Sequence, residues 1–385
     1  MIGKEVMFIL ATALSAEWME VLKCSRQHDF HQLPHYHRVA EQRGEGVAQL
    51  FVYTEADYTI ALPLLLRSVD PAEPSGWQDA TSVYGYGGPV ASHEDLPAGV
   101  VHRFQRRLAE ELSNRRVVAV FSRLHPLIAQ GGILAGLGEC PASGETISID
   151  LTASDEEQRA GYNKSCRTSL RRLREEGFVA FHDHENRYLP EFVEIYRETM
   201  RRAGAQSSYF FDEDYFNLLT RELRDVSHLF VALKDRDVAA ATLCTLCDGI
   251  VQDHLGGTRG AFLKFSPDRL VVDAERSWAK GIGARVFHLG GGVGAQEDSV
   301  FRYKSGFSDR RHPFRTWRWV LQQGVYDSLC AAAAQRYARD GLRAISADYF
   351  PAYRCPTTAL EPATLGGIEP ITAARVAGKE GCIRG

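Results

Sequence analysis

The sequence predicts an α+β protein of two domains, and three observations carry that expectation. Strand-length apolar runs recur along the chain and are separated by amphipathic helical stretches. The second half holds a three-stranded antiparallel meander whose second turn is Asp248-Gly249, a strong hairpin signal. At 385 residues the chain is long enough for two cores of ordinary size. With 44% hydrophobic and 24% charged residues and a net charge of −4, it is neither disordered nor a uniformly basic nucleic-acid coat.

In chain order, Val6 to Leu14 is apolar and follows Lys4, which suits either a cleavable leader or a first strand. Glu5 spoils the positive flank, and Ser15 followed by Glu17 and Trp18 reads as the cap of a helix, so the strand is expected. Gly46 to Tyr53 and Tyr58 to Leu66 form a hairpin across the polar Thr54 to Asp57. Val100 to Leu112 is an amphipathic helix, Val117 to Phe121 a buried strand and Ile147 to Leu151 a short one. After a long polar helical stretch come the helix Leu189 to Ala203 and the strands His228 to Leu233, Val238 to Cys247 and Ile250 to Leu255. Ser266-Pro267-Asp268 opens a helix that ends near Gly281, and Ala284 to Leu289 is a strand running into Gly290-Gly291-Gly292. By period alone this order fits several α+β sandwiches.

Cys355 to Gly385 lacks aromatic residues, which predicts a mobile tail over 346–385. Eight scattered cysteines predict buried free thiols in a reducing compartment. Cys244 and Cys247 lie in a strand-like run without a second pair at zinc spacing, and Pro34 interrupts the cluster His28, His31, His35 and His37, so no metal is expected. No apolar stretch reaches the roughly 18 residues that a bilayer span needs, so no membrane partner is expected.

Four segments occur in an informative order: Tyr84-Gly-Tyr-Gly-Gly-Pro89, the basic helix Asn163 to Gly177, His288-Leu-Gly-Gly-Gly292 and Phe301-Arg-Tyr-Lys-Ser-Gly-Phe307. Together they resemble the FemABX-like branch of the GNAT (acetyltransferase-like) superfamily. That resemblance implies two GNAT-like domains, each a mixed, mostly antiparallel sheet flanked by helices, at 1–155 and 156–345, with the basic helix at 163–176. It implies an amide-forming transferase that moves an aminoacyl group from aminoacyl-tRNA to an amine of a small metabolite, peptide or wall precursor. The expected location is the cytoplasm. The alternative is an acyl-CoA-dependent N-acyltransferase, and a third reading is a silent module that binds tRNA or a carrier protein.

Acetyl-CoA enzymes of this superfamily usually carry a Gln/Arg-x-x-Gly-x-Gly/Ala turn after the fourth strand, where N–H groups hold pyrophosphate. Here the segment is Gly256 to Ser266 and lacks that spacing, which counts against a coenzyme and leaves aminoacyl-tRNA as a donor substrate without a resident cofactor.

For chemistry, Lys304 matches the family lysine and is expected to stabilise developing charge. His288 and Asp253 are candidate bases. His254 adjoins Asp253, but strand alternation sends the two to opposite faces. Tyr84, Tyr86 and Gly87 are expected to line the acceptor site. Arg167 and Arg171 fall at i and i+4 with Arg174 at i+7, one helical face suited to phosphate. Arg302 and Phe307 flank Lys304 and complete the expected binding set. The stretch Arg302 to Arg318, with Phe314, Trp317 and Trp319 interleaved, suits a nucleic-acid contact, or else the tryptophans are core.

Overall fold

The structure, a computed structural model, describes residues 6–69, 76–205 and 209–359. The chain forms two compact units, Met1–Asp327 and Ser328–Gly385.

The larger unit contains one element order twice. The first pass runs β1 (Val6–Thr12), α1 (Ala16–Cys24), α2 (Pro34–Gln42), β2 (Val47–Glu55), β3 (Tyr58–Ser68), β4 (Gln78–Thr81), a short β5 (Val90–Ala91), α3 (Ala98–Asn114), β6 (Val117–Arg123), α4 (Gly131–Leu134) and β7 (Ala142–Asp150). Two helices follow, α5 (Asp155–Ala160) and the basic α6 (Lys164–Glu175). The second pass runs β8 (Phe178–Asp183), α7 (Leu189–Arg202), α8 (Glu213–Glu222), β9 (Ser227–Lys234), β10 (Asp237–Cys247), β11 (Ile250–Thr258), α9 (Asp268–Gly281), β12 (Val286–Gly290), α10 (Ser299–Lys304) and β13 (Arg311–Val320). Apart from β5, each pass reads strand, two helices, three strands, helix, strand, helix, strand.

The strands join in one sheet ordered β1-β2-β3-β4-β6-β13-β7-β12-β11-β10-β9-β8, with β5 against β3. Among the described strands only β4 with β6 and β11 with β12 pair in parallel. The last strands are exchanged between the passes: β7 pairs with β12, and β13 pairs with β6. The two repeats are thus stitched through the middle of the sheet.

Local chemistry explains the turns. Glu55 pairs with Tyr58 across a two-residue turn in which Ala56 has φ 54°. Cys247 pairs with Ile250, and Asp248 and Gly249 both have positive φ (40° and 71°), as a turn matching the strand twist requires. The apolar N-terminal run is strand β1, paired along its length with β2. Helix α9 starts later than expected: Ser266 is left-handed (φ 56°), Pro267 takes the N-cap and Asp268 begins the helix.

One apolar core lies under α1, α2, α7 and α8 and includes Trp18, Tyr36, Phe192 and Phe216. On the opposite face α3 covers the first repeat around Phe104 and Trp317, and α6 and α9 cover the second around Leu173 and Val271. Burying a side chain such as Phe104 or Phe192 contributes about 1.5–3 kcal/mol. The sheet is covered on both faces, which explains why its inner strands read as continuous apolar runs.

In the smaller unit, β14 (Leu342–Ala344) pairs with β15 (Thr357–Ala359), and the Tyr337 hydroxyl donates to the Cys355 carbonyl at 2.9 Å. Tyr353 and Cys355 are buried. Ordered chain therefore continues past 345, where a tail was expected to begin; 360–385 lies outside the described residues. The described cysteines are all free.

Candidate functional site

In each repeat the two parallel strands part at their C-terminal ends. Pairing of β11 with β12 stops at Gln252 and His288, although β11 continues to Thr258. Pairing of β4 with β6 ends at Thr81 and Phe121, beyond which lie Tyr84–Pro89 on one side and Arg123–His125 on the other. The two gaps face each other. Ring centroids of Tyr86 and His288 are 5.3 Å apart, those of Tyr84 and His254 6.1 Å, and those of His125 and His288 6.1 Å. The repeat thus builds one composite site from two half-sites.

The second half-site centres on Gly290, whose φ is +77°. A Cβ there would sit 3.1 Å from Lys304 Nζ and 3.9 Å from both Tyr86 Oη and Gln252 Nε2. Glycine leaves this convergence open. Lys304 ends α10, a helix capped by Asp298, whose carboxylate accepts from Phe301 N–H at 2.9 Å. Burial pushes the Tyr86 phenol up to about 12, opposed by the Arg123 charge. Asp253 lies beside Lys304: burial raises its carboxyl, opposed by the Lys304 charge, and burial lowers the Lys304 ammonium, opposed by Asp253. The two shifts bring the carboxyl and the ammonium closer in proton affinity, which suits proton transfer at this site.

His288 is fully buried, and its Nδ1 bonds Gln252 Oε1 at 2.5 Å. Because an amide oxygen only accepts, Nδ1 carries the proton and Nε2 keeps its lone pair, without a hydrogen-bond partner among the described residues. Burial, reinforced by His125 and Lys304, holds this imidazole well below its usual value. His254 corrects the alternation argument. Leu243 pairs with Leu255 and Cys244 with Asp253, so His254 is an extra, bulged residue. It packs on Phe30 at 5.0 Å and near Tyr84, while the Asp253 carboxyl feels the Lys304 charge, so both border the composite site. Burial lowers His254 to about 3.

The first half-site is the Tyr84–Pro89 loop, clamped from below. Gln32 and Gln130 side-chain amides donate to the Gly87 carbonyl at 3.1 and 3.2 Å, and the Tyr36 hydroxyl donates to the Tyr84 carbonyl at 3.2 Å. Gly87 is buried against Ser82, so it shapes the loop instead of lining a pocket. Beneath it, the fully buried Asp29 accepts from His31 Nδ1 at 3.2 Å and His125 Nε2 at 3.0 Å through one oxygen, and from Phe30 N–H at 2.7 Å through the other. Burial pushes the Asp29 carboxyl up, but these bonds hold it far below the usual range.

Asp29, His31 and His125 offer ligand atoms within 4.8 Å of one another, a spacing a metal ion could bridge. Leu127 N–H, however, donates to His125 Nδ1 at 3.1 Å, so Nε2 must carry the ring proton it gives to Asp29. A metal-bound imidazole instead donates from its second nitrogen. The triad fits a proton-linked clamp better than a metal centre. Of the four clustered histidines only His31 takes part, and its partner His125 is 94 residues away, beyond the reach of spacing rules.

The remaining expected residues lie elsewhere or are engaged. Arg167 donates to the carbonyls of Ala160 and Tyr162, Arg171 is exposed and pairs loosely with Glu175 (3.7 Å), and Arg174 binds Asp273 at 2.5 Å. The basic helix is largely neutralised by its own surroundings. Arg302 is exposed and donates to the Glu297 carbonyl. Phe307 is core, packed against Tyr162 and Tyr303, and offers no surface to a ligand. In the basic stretch Arg310 pairs with Asp150, Arg311 with Glu145 and Glu297, and Arg315 with the Cys140 carbonyl; Trp317 is fully buried. The core reading of its tryptophans therefore holds. Among the described residues no helix is long and apolar enough to cross a membrane.

Comparison with known proteins agrees with this architecture. The model of the GNAT acetyltransferase domain matches residues 160–305. The fold is similar to FemX, with a TM-score of 0.66 and 15% identity, covering 84% of this chain and 99% of that one. It is also similar to a conserved protein of unknown function from Bacteroides thetaiotaomicron (TM-score 0.54, 9% identity, 82% and 100% covered). A third similar structure is L-PGS from Bacillus licheniformis (TM-score 0.51, 13% identity, 83% and 94% covered). No curated protein matches by sequence. Residues 160–305 thus resemble the GNAT acetyltransferase domain, and the chain has a fold similar to that of FemX.

Proposed function

We propose that this protein is an amide-forming aminoacyltransferase that takes its aminoacyl group from aminoacyl-tRNA and passes it to an amine. The observation that carries this reading is the convergence of Lys304 Nζ, Tyr86 Oη and Gln252 on the open face of Gly290, with Asp253 beside them. Asp253 takes the proton from the incoming ammonium. The freed nitrogen attacks the ester carbonyl carbon, a C–N bond forms, and Lys304 stabilises the oxyanion. The C–O ester bond then breaks as Asp253 passes its proton to the departing ribose oxygen, and the vacated carboxylate takes the second proton from the attacking nitrogen and releases it to solvent, leaving a neutral amide and a free ribose hydroxyl. The donor places the reaction in the cytoplasm, where charged tRNA resides.

The segment after β11 supports a donor other than a coenzyme. In that segment the Gly260 N–H donates to Glu198 Oε1 at 2.8 Å and is not free for a phosphate. A carboxylate there repels phosphate. The match to the acetyltransferase domain favours a second reading, an acyl-CoA donor on the same scaffold.

The experiment is product formation with charged tRNA before and after ribonuclease, in the native protein and Lys304→Ala. Loss of product with RNA digestion and a fall in turnover of about 10²–10³-fold in the variant are expected. Product that survives digestion and requires a CoA thioester would replace the first reading by the second.

A further inference from the structure

Arg123 closes β6, two residues before His125, and was no part of any sequence motif. Its neighbour Leu124 enters the apolar core, so alternation turns Arg123 to the other face, shared with Phe121, over whose ring its guanidinium carbon lies at 5.5 Å. Its backbone N–H reaches Ser82 Oγ at 3.4 Å, which places it opposite the start of the Tyr84–Pro89 loop. Its charge acts on both phenols of that loop, Tyr84 and Tyr86.

Elsewhere in the first repeat, half-buried arginines hold carboxylates: Arg38 with Glu222, Arg67 with Asp79 and Arg115 with Glu111. Arg123 is equally half-buried, yet among the described residues its guanidinium has no hydrogen-bond or ion-pair partner. A half-buried guanidinium with no partner among the described residues keeps its donors available to a ligand, and its planar fork matches two oxygens of a carboxylate or phosphate.

We propose that Arg123 binds an anionic group, carboxylate or phosphate, carried by the amine acceptor. The acceptor is then an amino acid, a peptide or a phosphorylated amine, and not a simple polyamine. This rests on the reading above, in which Tyr84 and Tyr86 line the acceptor side and Lys304 the reacting ester.

The test is calorimetric titration of 6-aminohexanoate, hexylamine and inorganic phosphate into the native protein, Arg123→Gln, Arg123→Lys and Lys304→Ala, with melting curves to verify folding. Native protein should bind 6-aminohexanoate at least tenfold more tightly than hexylamine, with phosphate competing. Arg123→Gln should erase that preference, Arg123→Lys should retain part of it, and Lys304→Ala should retain it. A parallel titration with uncharged tRNA should be unchanged in Arg123→Gln. Equal binding of 6-aminohexanoate and hexylamine by native protein, or an unaltered preference in Arg123→Gln, overturns the proposal. Weakened tRNA binding with an intact preference assigns Arg123 to the donor and overturns it too. Normal turnover in Lys304→Ala with the Arg123 preference intact would instead remove the transferase mechanism and leave the anion site standing.

Discussion

Gly85→Ala tests whether the buried triad and the loop above it act as one unit. Gly85 has φ +105°, and a Cβ there would lie 2.1 Å from His31 Nε2. Since carbon and nitrogen do not approach within about 3 Å, the imidazole must move by roughly 1 Å, which its burial against Phe30 (3.9 Å between centroids) and Tyr36 obstructs. Moving it breaks the His31–Asp29 hydrogen bond, made to a charged acceptor, at a cost of about 1.5–3 kcal/mol. The positive φ adds about 1–2 kcal/mol for any residue with a Cβ. The substitution should therefore cost about 3–5 kcal/mol in urea-unfolding experiments. In a His31→Ala background the steric part vanishes, and Gly85→Ala should cost only about 1–2 kcal/mol. The coupling of about 2 kcal/mol, measured as a double-mutant cycle, is the diagnostic quantity. Equal cost in both backgrounds, or less than about 1 kcal/mol in the native protein, would refute the link between loop and triad.

Two further expectations concern pH. His37 is fully buried and lowered to about 4 by burial, so the folded state binds fewer protons than the unfolded state below about pH 6.5. Its contribution, about 3 kcal/mol at about 1.4 kcal/mol per pH unit, is complete above pH ~6.5 and lost as pH falls toward 4. His37→Phe, which keeps a ring against Trp18 (4.9 Å), should flatten that acid limb in unfolding curves, and an unchanged limb would contradict it. Glu275 has the opposite sign. It is fully buried, both carboxyl oxygens lack partners among the described residues, and burial with the Asp253 charge pushes it well above the usual range. Its stabilising, protonated form is lost as pH rises through that raised value. Glu275→Met should therefore gain stability over the native protein at pH 8.5 and gain less at pH 5; parallel profiles would count against a buried carboxyl in that state.

Much of the scaffold is readable from local chemistry. The hairpin at Ala56-Asp57, the Asp248-Gly249 turn, the strand at Val6 and the amphipathic helix α3 follow from apolar period and turn residues, because each depends on neighbours a few positions away. Gly290, Tyr86 and Lys304 were legible as parts of motifs. The same local rules mislead where the chain departs from regularity. The bulge at His254 breaks the alternation that was expected to separate it from Asp253, and Phe307 lies in the core although it belongs to the same motif as Lys304. The arginine face of α6 satisfies helical spacing, but Arg174 is claimed by Asp273, a residue about a hundred positions away.

Most strands and helices, the turns and the glycines that keep the site open follow from backbone freedom and hydrophobic period over short stretches, and so could be read from residues close together in the chain. The exchange of β7 and β13, the facing of the two parted strand pairs and the meeting of Asp29 with His125 beneath Tyr86 emerge from long-range folding. Those outcomes depend on sheet pairing and burial between residues far apart in the chain, where no spacing rule applies, and they turn two incomplete halves into one site.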